Sequence, residues 1–147
     1  MPDKPQTVTR DLGFDGGTIH MTMISTGVGP TLFAVGFAQL PAEAITPERL
    51  DATLAWFRDP VVRNIDGKIT SVQPARLSPN AAAGHLVRGG QAIEARGHVG
   101  KDRRPGQLAA RLHVVDDRVY EMVAIGADGE LTADALETFF SSFRLVQ

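Results

Sequence analysis

The side chains best suited to acid–base or ligand chemistry are four histidines, and two of them sit where the chain can bring them together. His98 and His113 lie on strand-like runs either side of the stretch from Lys101 to Gly106, so a hairpin would let them approach. By the two-residue period of a strand, Arg96 and Glu94 share a face with His98, and Arg111 shares a face with His113. A sheet face carrying Arg96, His98, Arg111 and His113 could hold a carboxylate, a phosphate or an acidic partner through charge-assisted hydrogen bonds. The plainer reading is a solvated, ion-paired sheet face, because exposed charges of this kind are common and individually weak. His20 and His85 have no partner at ligand spacing, and neither H-x-H nor H-E-x-x-H occurs, so no metal site is expected.

The other chemistry-bearing groups read more simply. Lys101, Arg103 and Arg104 make a short basic loop that could touch an anionic surface or partner, with a solvated loop tip as the default. Met21 and Met23 beside His20 have the composition of a soft-metal site, but alternation puts the methionines on one face and the histidine on the other, which favours core packing. Asp128, Glu130 and Asp134 suit the start of a helix better than a calcium loop. Gly67-Lys68-Ile69-Thr70 lacks the upstream glycine and the lysine–hydroxyl adjacency of a phosphate loop. The serines at 25, 71, 78, 141 and 142 sit in no nucleophile-elbow context, and Asp116-Asp117 reads as a solvated turn. No catalytic constellation and no cofactor are expected.

Composition narrows the classes further. The chain has 147 residues, 43% hydrophobic and 22% charged, with a formal net charge of -2 and no cysteine. That suits one domain; residues 1–7 read as a polar, proline-punctuated tether and residues 8–147 as the domain. Without a basic excess, nucleic acid is not an expected partner. Without cysteine there is no disulfide, thiolate metal site or cysteine nucleophile. No apolar run approaches the roughly 20 residues of a spanning helix, and the start shows no leader pattern. A mature form following a removed leader and a cytoplasmic protein both fit.

The elements that must position these groups follow from periodicity. Asp15-Gly16-Gly17 marks a turn between two short strands, the second with Ile19, Met21 and Met23 on one face. Residues 32–38 are apolar on both faces, as expected of a central strand whose glycine admits a close neighbour. Thr46 reads as an N-cap and Pro47 as the first residue of a helix, with Leu50, Leu54, Phe57 and Val61 in one stripe. Pro60 should end that helix near Arg58 or open a short segment to Asn64. Strands are expected at Lys68–Leu77, His85–Arg88, Ala92–Val99, Gln107–Val115 and Arg118–Ile125. Asp116-Asp117 turns a hairpin whose returning strand is again apolar on both faces, so it too should be central. Gly89-Gly90 marks either a turn or a bulge. Thr132 should cap a final helix whose Leu136, Phe139, Phe140 and Phe143 form an apolar stripe. Burying the three phenylalanines would stabilise the fold by about 2 kcal/mol each, so that helix is expected to be essential. These elements predict an α+β fold: an antiparallel sheet sandwiched between two helices.

The run Arg118-Val119-Tyr120-Glu121-Met122-Val123-Ala124-Ile125-Gly126, followed after a polar loop by Thr138-Phe139-Phe140-Ser141-Ser142-Phe143-Arg144-Leu145, resembles the ending of small bacterial PsbP-like domains. The rest of residues 8–147 is similar in element order only. The resemblance implies an α/β/α sandwich and a non-catalytic accessory or protein-binding domain, exported in bacteria and acting in the periplasm. It transfers no functional residue, because the matching aromatics belong to the core pattern. Two alternatives stay open: a binder of small anions at the histidine–arginine face, and a cytoplasmic secretion-effector chaperone of the same fold. Many bacterial relatives are anchored through a lipidated cysteine, which this chain lacks.

Overall fold

Alternating apolar residues, broken by short polar turns, carry the chain through a single antiparallel sheet. A computed structural model describes residues 6–14, 17–28, 31–77, 83–100 and 102–142. The order along the chain is β1 (Gln6–Phe14), β2 (Gly17–Val28), β3 (Thr31–Gln39), α1 (Leu50–Arg63), β4 (Lys68–Pro74), β5 (Val87–Val99), β6 (Arg104–Val115), β7 (Arg118–Ala127) and α2 (Ala133–Ser141). Across the sheet the order is β1-β2-β3-β7-β6-β5-β4. The two runs that are apolar on both faces, β3 and β7, lie side by side in its middle. Gln6 and Thr7, read as tether, belong to β1.

The expected α+β sandwich is corrected: the protein is mostly β, a seven-stranded sheet with two short helices. The reason is reach. Seven strands about 4.8 Å apart span roughly 29 Å, whereas the nine residues of α2 extend only about 14 Å. No residue of α2 is buried, so its apolar stripe does not form a core layer. Phe139 stands 4.9 Å from Phe33, and Phe140 lies beneath the Arg111 guanidinium, both rings half-buried. Phe143 lies outside the described residues.

Helix α1 begins at Leu50, after a turn in which Arg49 N–H donates to the Thr46 carbonyl, so Thr46 and Pro47 precede the helix instead of starting it. It runs through Pro60 to Arg63. Proline inside a helix costs about 3 kcal/mol, and the burial of Phe57 and Val62 on either side of it offsets that. Buried Thr53 donates to the Ala44 carbonyl at 2.8 Å and ties a short 3-10 turn, Ala42–Ala44, to the helix. Thr132 caps α2, its hydroxyl accepting from Ala135 N–H at 3.1 Å. Gly89-Gly90 is a bulge in one long strand: β5 is continuous, with a register shift between Val87 and Gly89. The Asp116-Asp117 hairpin forms, with Asp116 at φ 55°. Its carboxylate does more than turn the chain. It accepts from Leu86 N–H at 3.0 Å and meets His85 Nδ1 at 2.7 Å, fastening the approach to β5.

The hydrophobic core lies where α1 covers β5 and β6, around Leu54, Phe57, Ile93, Leu108, Ala110 and Leu112. The chain leaving the helix is locked by the Ile65 carbonyl, which accepts from His98 N–H at 2.7 Å. Gly97 makes this approach possible, since a Cβ there would lie 2.1 Å from the Ile65 oxygen. Gly97→Ala should therefore destabilise the fold by about 1–3 kcal/mol, read as a lower urea midpoint at unchanged slope.

Candidate functional site

The ladder places Ala92 opposite Arg111 and Arg96 opposite Gln107, so Glu94, Arg96, His98, Arg111 and His113 do share one face of β5 and β6. They do not converge. His98 pairs with Pro105 and His113 with Gly90, eight rungs apart, or roughly 26 Å. Arg96 donates to Asp128 at 2.6 Å, and His98 is exposed at the same end. Arg111 sits 4.5 Å over the Phe140 ring. His113 is 1% exposed, packed so closely against Gly90 that a Cβ there would lie 2.7 Å from its Nδ1. Burial, with the nearby Arg111 charge, lowers its pKa from 6.5 to about 4. It is a neutral core histidine.

The basic loop is similarly occupied. Arg103 pairs with Asp66 beyond the end of α1, and its guanidinium holds the Asp66 carboxyl below the usual carboxylate range. Arg104 lies 3.4 Å from Asp102. Lys101 lies outside the described residues. Met21 and Met23 pack over Gly36, while His20 pairs with Asp11 across the β1–β2 ladder. Among the described residues, no group of three or more His, Asp or Glu could hold a metal ion, and no helix is long and apolar enough to cross a membrane.

A different site emerges where α1 overhangs the sheet. Because the helix sits over β5 and β6, its outer flank leaves β7, β3, β2 and β1 only partly covered. The resulting cavity has a volume of about 350 Å³. Trp56, Phe57, Pro60, Val61 and Asn64 form its helical wall; Met21, Met23, Ala34 and Val123 line the sheet side, and Val8, Arg10 and Leu12 come from β1. The floor holds one acid, Glu121 of β7, which is 4% exposed. Its ladder neighbours are Leu112 and Gly36. Among the described residues no hydrogen bond or ion pair reaches its carboxyl, and burial pushes its pKa up from 4.5 to about 7. Two roomier hollows, about 640 and 550 Å³, carry only solvent-exposed acids: Asp51 in one, Glu94 and Glu137 in the other.

A buried, protonatable carboxyl in an apolar hollow is the arrangement that perturbs pKa values at functional sites. It can donate a hydrogen bond when protonated or pair with a cation when ionised. Glu121 is not among the candidates that the sequence offers, since it falls within a central strand. Its signal was nevertheless present, since Val119, Glu121, Val123 and Ile125 alternate and place one acid on an otherwise apolar face. No family model and no curated protein matches the chain.

Glu121 and His113 act on stability with opposite signs. Raising the Glu121 pKa means its contribution is present below pH 4.5 and lost as pH rises to about 7. Depressing the His113 pKa means its contribution is present above pH 6.5 and lost as pH falls to about 4. Each is on the order of 3 kcal/mol, so they offset across the same window. Glu121→Gln should make stability rise with pH through that window, and His113→Phe should make it fall, as measured by urea unfolding across pH.

Proposed function

We propose that this chain is a non-catalytic binding domain whose ligand occupies the cavity beneath Trp56, a small and largely apolar molecule with one polar group directed at Glu121. The observation that carries this reading is the buried carboxyl of Glu121 on the floor of a largely apolar hollow. Holding such a group so far from water with no partner among the described residues is costly, a cost that a ligand supplying a partner would offset. The apolar lining supplies affinity at about 0.8 kcal/mol per buried CH₂.

A protein-docking role, implied by the PsbP-like resemblance, ranks second. It is favoured by the edge strand β4, where Ile69 and Val72 are 40% and 39% exposed. Against it, a register shift between Ile69 and Ser71, together with Pro74, interrupts the ladder that strand addition would use. An extracytoplasmic location belongs to the proposal on the strength of the resemblance, and cell fractionation of the native source checks it.

Trp56 is the only tryptophan and lines the cavity, so its emission reports occupancy. Titration with octanol should shift that emission and raise the melting temperature. Ala34→Phe, which fills the sheet side, and Val61→Phe, which narrows the helical wall, should each weaken the response about tenfold or more. An unchanged response in both folded variants would refute the cavity as the site.

A further inference from the structure

The surroundings of Glu121 restrict what its partner can be. The elements around the cavity contribute one other charged side chain among the described lining residues, Arg10 of β1. Nothing charged comes from β2, β3 or α1; Asn64 and Ser25 are the uncharged polar contributors. Arg10 pairs with Met21, Met21 with Ala38, and Ala38 with Val119, which sets its backbone three strands from β7, roughly 15 Å away. No ion pair links it to Glu121 among the described residues, and it has no part in the pKa shift of that group. Among the described residues the acid therefore faces the cavity without a compensating donor, and the space over Gly36 beside it in the ladder is taken by the Met21 and Met23 side chains, which bring no charge.

On the strength of the cavity reading above, we propose that the ligand is a lipophilic amine whose ammonium group ion-pairs with the Glu121 carboxylate while its apolar body lies under Trp56. The charge complementarity is specific. A ligand carboxylate would set a second acid beside Glu121, and like charges at close range disfavour each other. A neutral hydroxyl would make one ordinary hydrogen bond. An ammonium donates charge-assisted bonds, which are about twice as strong.

The proton balance is simple. The amine arrives protonated, the Glu121 O–H proton passes to solvent, and the ion pair remains. Binding must therefore strengthen as pH rises towards about 7, where the free acid ionises, and level off above it. Below that point affinity should fall about tenfold per pH unit.

The experiment uses the full chain and three probes of one length, octylamine, octanol and octanoate, kept monomeric and followed by Trp56 emission and calorimetry. Above about pH 7, octylamine should bind roughly tenfold to a hundredfold more tightly than octanol, with octanoate weakest. Glu121→Gln should bring octylamine down to the octanol level, leave octanol unchanged and abolish the proton release that accompanies octylamine binding below about pH 7. If octanol or octanoate equals octylamine, or Glu121→Gln leaves the ratio unchanged, the amine assignment is overturned while the cavity reading stands. Tighter octanoate binding lost in Arg10→Gln would reassign the ligand to an acid held by the rim. If no probe binds by either readout, the cavity reading itself falls.

Discussion

The structure depends on how α1 is fastened to the sheet. The Ile65 carbonyl meets His98 N–H at 2.7 Å above a residue with no side chain, Gly97, and any Cβ there would collide with the oxygen. The Asp66–Arg103 pair adds a second tie at the same end. Together they hold the helix over β5 and β6, where Leu54 and Phe57 complete the core. One helix about 10 Å wide cannot also cover the other strands. The cavity follows directly from that docking.

The polar groups inside the molecule have divided roles. His113 and Glu121 lie on neighbouring central strands, and both are held neutral by burial at mildly acidic pH. The histidine is packed against Gly90 and serves the core. The acid faces a hollow with Trp56 as part of its wall. One burial mechanism thus yields a core residue in one place and, in the proposed reading, a binding group in the other, and the difference is whether space was left beside the charge. Several ionisable groups nearer the surface are paired locally: Arg96 with Asp128, Arg103 with Asp66, and the half-buried His85 with Asp116.

Much of the local structure was legible because it depends on neighbours in the chain. The Asp116-Asp117 turn, the Thr132 cap, the alternation of β2 and β6 and the central position of β3 and β7 all follow from patterns only a few residues long. At the start of α1, Thr46-Pro47 has the right types for a cap, yet those residues form a turn ahead of the helix. The aromatic stripe of α2 does not make a core layer, because amphipathic spacing reports which face of a helix is apolar, not whether the helix is long enough to cover the sheet opposite.

By itself, the sequence determined the strands, the hairpins, the absence of thiol chemistry and the shared face of Arg96, His98, Arg111 and His113. Period-two alternation sets a side chain's face without reference to the rest of the molecule. It could not say that His98 and His113 stand at opposite ends of a long ladder, or that the expected sandwich would be a mostly β protein with one effective covering helix. Nor could it decide what Glu121 meets: alternation sets that acid on an apolar face of β7, but water, a partner and a hollow read alike in a strand. That was decided by where α1 came to rest, since burial, and with it the energy of a charge, depends on every element packed around it.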